Sequence, residues 1–120
     1  MAVQRYKKMT WEAFLTSTKN VVVDRGLLSA DCKKKNGEYV SSTINPDEKI
    51  GNLNGNFVLS SQDHARGKNF SETSSEVRYH KPVLEATLRT DSGDWNTAHV
   101  SLNTIIANED GKLIWLPNML

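Results

Sequence analysis

Leu28, Ala30 and Cys32 alternate with Ser29 and Asp31, the two-residue period of a strand with one buried face. Asn36-Gly37 follows, a strong hairpin signal because both residues take positive φ at low cost. A return strand rich in Tyr, Val, Ser and Thr is predicted over about 38–44. Asn45-Pro46-Asp47 then opens a helical turn ending near Ile50, and a second hairpin turn, Asn54-Gly55, leads into a strand over 56–59. The same order recurs downstream: a strand over 83–89, a turn at Ser92-Gly93, a strand over 94–101, a turn near 103–106, Asp110-Gly111, and a strand over 112–116. Ahead of the first strand, Thr10 before Trp11-Glu12-Ala13-Phe14 predicts a capped helical turn with Trp11 and Phe14 on one side.

The recurrence is an internal repeat. Shifted by 56 positions without gaps, residues 14–59 fall on 70–115, and eight of the 46 pairs are identical: Phe14/Phe70, Val21/Val77, Leu28/Leu84, Ala30/Ala86, Gly37/Gly93, Ile50/Ile106, Asn52/Asn108 and Gly55/Gly111. Ordinary amino-acid usage would give roughly three. Matches fall on core positions and turn glycines, as duplication of a fold unit requires. One unit of this size buries too little apolar surface to stand alone, so the copies are expected to share one core in a single domain spanning 1–120. Residues 60–69, polar and without periodicity, read as the linker, and 1–13 as an N-terminal extension.

Charge narrows the function. Lys plus Arg number 15 against 14 for Asp plus Glu, a formal net charge of +1, which argues against nucleic acid and an anionic membrane as partners. No apolar run approaches a membrane span, and the first twenty residues lack a signal-peptide apolar core, so the expected location is cytoplasmic. The single cysteine, Cys32, has no intrachain partner and matches Leu88 in the repeat, so it reads as a small core residue. His64, His80 and His99 show no metal-ligand spacing, and no metal or other cofactor is expected. Glu72, Glu76 and Glu85 are placed on exposed positions rather than in a catalytic acid pair, and Lys33-Lys34-Lys35 reads as a solvated hairpin tip.

Three segments together resemble the cyanovirin-N homologue family. Residues 28–57, LSADCKKKNGEYVSSTINPDEKIGNLNGNF, are similar to its first repeat; NFSET at 69–73 resembles the motif opening its second; VSLNTIIANEDGKL at 100–113 resembles its closing pattern. The positions of the founding member's two disulfides hold Thr18, Cys32, Ser74 and Leu88, which is closer to the disulfide-free fungal members. The resemblance implies an all-β, pseudo-two-fold symmetric tandem repeat, each half a triple-stranded sheet plus a β-hairpin with short helical turns, and each half drawing strands from both copies. It implies a non-enzymatic lectin that binds high-mannose oligosaccharides, especially terminal α1,2-linked mannose, as a monomer or a domain-swapped dimer.

By the same resemblance, a middle site would use Gly51, Asn52, Asn54, Lys68, Asn69, Thr73, Arg89 and Asp91, with Gly51 and Asn54 standing where the founder is acidic. A second site near the termini would use Thr16, Ser17, Lys33, Lys35, Asn108, Glu109 and Asp110; Lys33 and Lys35 replace an acid and a threonine, and Ala13 a lysine. The residue types suit a pyranose, whose adjacent hydroxyls are each donor and acceptor and invite bidentate capture by amides and carboxylates. Asn54 and Asp110 each precede a glycine, so backbone tolerance explains them as well as ligand contact does. The substituted positions motivate a second reading, a protein-interaction module that kept the fold and lost the sugar sites. Asn69-Phe70-Ser71 is also a glycosylation sequon, and a glycan there would fill the middle site, so the lectin reading expects Asn69 to be unmodified.

Overall fold

A computed structural model describes residues 11–59 and 68–116. Thr10 and most of the 60–69 linker lie outside the described residues. A two-residue strand β1 (Glu12–Ala13) precedes a helical turn (Phe14–Ser17), then β2 (Thr18–Asp24), β3 (Leu27–Lys33) and β4 (Tyr39–Ile44). A 3-10 turn (Pro46–Glu48) leads to β5 (Ile50–Leu53) and β6 (Asn56–Leu59). The second copy repeats this order at the 56-residue offset. It runs through a 3-10 turn (Phe70–Thr73), β7 (Ser74–His80), β8 (Val83–Arg89), β9 (Trp95–Ser101), a 3-10 turn (Leu102–Thr104), β10 (Ile106–Glu109) and β11 (Lys112–Trp115).

The alternation read from the sequence sets the sheet faces. In β3, Leu28, Ala30 and Cys32 are buried, and in β8 so are Leu84, Ala86 and Leu88. Each of these strands is the centre of an antiparallel sheet, β2-β3-β4 or β7-β8-β9. Hairpin β5–β6 leaves its own copy and packs against β9, while hairpin β10–β11 packs against β4. Asn96 Nδ2 donates to Gly55 O (2.8 Å) across the first seam, and Leu113 N donates to Ser42 Oγ (3.0 Å) across the second. Phe14, Phe70, Ile50 and Ile106, two from each copy, are fully buried in the shared core.

Several expectations need correction. Asn36-Gly37 is not a two-residue turn, because only Gly37 has positive φ (93°). Gly37 N donates to Lys34 O (2.9 Å) and Lys34 N to Glu38 O (2.7 Å), a longer loop in which the Asn36 side chain accepts from Glu38 N (2.9 Å). Asn54-Gly55 and Asp110-Gly111, with φ of 51°/86° and 48°/94°, are the true two-residue turns. The hairpin signals did not locate the first strand of either copy, because β2 and β7 each carry a bulge, between Lys19 and Val22 and between Ser74 and Glu76. A bulge shifts the alternation by one residue and hides the period. The first helical turn begins at Phe14 behind Ala13, with no side-chain cap. Glu85 is not exposed: its side chain is 16% accessible, held by Arg78 Nη1 (2.9 Å) and His99 Nε2 (3.0 Å) on the outer face of the second sheet.

Two buried polar groups give direct tests. The Tyr79 ring meets Phe14 edge-on at 6.4 Å, but its hydroxyl is shielded and has no partner among the described residues; burial pushes its pKa up. Tyr79→Phe is therefore expected to leave stability unchanged or raise it by up to about 1 kcal/mol, measured by denaturant titration. Cys32 is wholly buried, and burial, then the nearby Asp31 charge, pushes its thiol from 9.0 to about 11. Labelling by a thiol reagent at pH 8 should follow the unfolding rate. The unfolded chain ionises this thiol before the folded one does, so stability should fall as pH rises from about 9 towards 11.

Candidate functional site

The middle of the molecule gathers three segments around one amide. Asn52, on β5, donates through Nδ2 to Thr73 Oγ1 (2.8 Å) and to Arg89 O (2.9 Å), and its Oδ1 accepts from Gly55 N (2.8 Å). One side chain thus ties the Asn54-Gly55 turn, the NFSET segment and the end of β8 together. Next to it, Asn54 Oδ1 accepts from Asp91 N (2.9 Å), locking the two turn tips. Asn69 takes the left-handed conformation at φ 62°, which asparagine tolerates better than most residues, and bridges to Gly51.

The NFSET segment is fastened from below. Asp47 accepts from Ser71 N through Oδ1 (2.9 Å), from the Ser71 hydroxyl through Oδ2, and from Asn69 N through its main-chain oxygen (2.8 Å). Asn69 and Thr73 are therefore held on a rigid support while their own side chains stay exposed.

Between these segments lies an open hollow of about 360 Å³, lined by Asn52, Asn54, Lys68, Asn69, Glu72, Thr73 and Asp91. Six of the residues expected from the sequence line it. Gly51 and Arg89 do not: Gly51 is buried behind its bridge to Asn69, the Arg89 main-chain oxygen serves the Asn52 amide, and the Arg89 side chain is exposed at the end of β8. Glu72 was missed, although it sits inside the NFSET motif and its exposure was expected. Asn52 lines the hollow, but both of its N–H groups are already engaged. It fastens the walls of the hollow, and the exposed Asn54, Lys68, Asn69, Glu72, Thr73 and Asp91 supply its free polar groups.

The second copy repeats much of the scaffold, with the main-chain oxygen of Ser17 in place of the Thr73 hydroxyl. Asn108 Nδ2 donates to Lys33 O (2.8 Å) and Ser17 O (3.3 Å), its Oδ1 accepts from Gly111 N (2.8 Å), and Asp110 Oδ1 accepts from Lys35 N (2.9 Å). Asn103 takes the role of Asp47, accepting from Leu15 N (2.9 Å). Two residues proposed for this site cannot meet a ligand: Asn108 is 0% accessible, and Ser17 is 3% accessible with its hydroxyl donated to Ala13 O (2.6 Å). Thr16, Lys33, Lys35, Glu109 and Asp110 remain exposed. At the position of Asn69 this half has Ala13, so the amide that heads the middle hollow has no counterpart.

A model of the CVNH domain family matches residues 14–114. A curated relative from Neurospora crassa, a cyanovirin-N homolog, is 30% identical over 96 residues, covering 74% of this chain and 81% of the relative. Among solved structures, the Gibberella zeae CVNH protein superposes with a TM-score of 0.68 at 36% identity, covering 83% of this chain and 94% of its own. Microvirin, solved as a complex with mannobiose, has a TM-score of 0.69 at 23% identity, with coverage of 87% and 98%. A CVNH variant solved with an N-acetylglucosamine tetramer has a TM-score of 0.77 at 23% identity, with coverage of 88% and 99%.

Proposed function

The chain belongs to the cyanovirin-N homologue family of non-catalytic, carbohydrate-binding lectins, and from that premise we propose that its middle hollow captures terminal α1,2-linked mannose. The observation that carries this reading is the pre-locked ring of exposed amide, hydroxyl, carboxylate and ammonium groups at Asn54, Lys68, Asn69, Glu72, Thr73 and Asp91. A sugar hydroxyl both donates and accepts, and such a mixed ring can answer it in both senses. A neutral hydrogen bond contributes about 1 kcal/mol net, and a buried group left unpaired costs about 1–3 kcal/mol. Selectivity therefore comes mainly from penalising epimers whose hydroxyl misses its partner. Microvirin, of the same fold, binds mannobiose, which supports the choice of sugar.

Titration of labelled protein with α1,2-mannobiose tests the proposal. Chemical-shift changes are expected at Asn54, Asn69, Thr73 and Asp91, and Asn69→Ala or Asp91→Ala should each weaken binding by about 3- to 10-fold. No shifts anywhere at millimolar sugar would favour the interaction-module reading. Shifts with an N-acetylglucosamine tetramer, but not with mannobiose, would keep a lectin and discard the mannose assignment. Glycosylated Asn69 in the native protein would contradict the proposal, because that glycan would occupy the hollow.

A further inference from the structure

The middle hollow has a neighbour. A second depression of about 460 Å³ opens against Lys68 and Asn69, the two residues it shares with the first, and is otherwise lined by Asn45, Asp47, Glu48, Lys49 and Trp115. The geometry points to a further sugar subsite there, so that the middle site takes a linear oligosaccharide of three or more residues rather than a disaccharide alone. The inference rests on the first hollow being a sugar site.

Three observations carry it. The first is chemistry. An amide (Asn45), a carboxylate (Glu48) and an ammonium (Lys49) stand with one indole around a polar opening. The Trp115 Nε1 is shielded from solvent without a partner among the described residues, so the hollow meets ring carbon. A pyranose has an apolar C–H face for such a ring and an equator of hydroxyls for the polar groups.

The second is rigidity. The floor is the Pro46–Glu48 turn, capped by Asn45 Oδ1 accepting from Asp47 N (3.1 Å) and joined through Asp47 to the Asn69 and Ser71 backbone. Both hollows are thus built on one fastened unit, so a ligand crossing from one to the other would find both already formed.

The third is asymmetry. Moved by 56 positions into the other half, Asn45, Glu48, Lys49, Asn69 and Trp115 become Ser101, Thr104, Ile105, Ala13 and Leu59. The other half thus has no indole here and no charge on the turn. The lining chemistry of the depression is therefore particular to this half and not a by-product of the duplicated fold.

Calorimetric titration with α1,2-mannobiose, α1,2-mannotriose and α1,2-mannotetraose tests the inference. Wild-type protein should bind the longer sugars at least fivefold tighter than mannobiose. Trp115→Ala should bring them to the mannobiose level while mannobiose affinity holds. If Trp115→Ala fails to fold, Glu48→Ala/Lys49→Ala, on the exposed turn, should narrow the length preference in the same way. In NMR titrations, Glu48, Lys49 and the Trp115 indole should shift with the tetrasaccharide and not with mannobiose. Equal affinity for all three lengths, or a length preference that survives both variants, would overturn the subsite and leave the first hollow standing. Absence of any binding, mannobiose included, would instead remove the reading of the first hollow.

Discussion

Gly111→Ala should destabilise the protein by about 2–5 kcal/mol, the largest loss expected from adding one methyl group anywhere in the described turns. Gly111 sits at φ 94°, where a side chain costs about 1–2 kcal/mol by itself. An added Cβ would also lie 2.6 Å from Val40 Cγ2 and 2.8 Å from Lys34 Cγ, inside the seam between hairpin β10–β11 and the first sheet. Both atoms belong to side chains packed at the seam, which would have to turn aside, at about 1–3 kcal/mol more. Gly37 separates the two contributions: it has nearly the same φ, 93°, but nothing within 4 Å of its added Cβ. Gly37→Ala should therefore lose only the conformational part, about 1–2 kcal/mol. Thermal unfolding of both variants decides this, with a shift on the order of 10 °C or more for Gly111→Ala and clearly less for Gly37→Ala. Equal shifts would show that the seam has slack that the packing does not suggest.

Asn108→Ala should come next, at about 3 kcal/mol or more. Its side chain is wholly inaccessible and answers three main-chain groups: Gly111 N, Lys33 O and Ser17 O. Removing it strands Gly111 N and Ser17 O in buried surroundings and Lys33 O in a part-buried one, at about 1–3 kcal/mol for each buried group left unpaired. Asn52 makes the same pattern of bonds but is only half-buried beside an open hollow, so water can replace its amide. Asn52→Ala should lose about 1 kcal/mol of stability and act mainly on sugar affinity, by loosening Thr73 and the Asn54-Gly55 turn. Denaturant midpoints for both variants, with mannobiose titration of Asn52→Ala, test the division. A stability loss as large for Asn52→Ala as for Asn108→Ala would contradict it.

The identity of Asn52 and Asn108 across the copies was legible as a shared role, but which role was not. Sequence gives the residue type and not the direction of the side chain, and an amide at a turn suits a ligand and a backbone equally well. Here both amides are spent on holding turns and strand ends together, and the copies differ at the neighbouring exposed positions such as Asn69 and Asp91. Strand order was legible because alternation and turn glycines repeat in phase. Bulges at Lys19–Val22 and Ser74–Glu76 broke that phase, so β2 and β7 left no clean period. The Asn36-Gly37 loop was misjudged because a dipeptide does not encode loop length. Glu85 was misplaced because its shielding comes from Arg78 and His99, on the two flanking strands.

The exchange of hairpins between halves has a consequence for how such a receptor arises. Asn54 belongs to the first copy and Thr73 and Asp91 to the second, with Asn69 at the joint just ahead of it. A polypeptide encoding one copy would therefore carry half a binding site, and receptor formation would be second order in chain, lost on dilution. Joining two copies in one gene makes it first order and lets the two halves differ, as Asn69 and Ala13 do at equivalent positions.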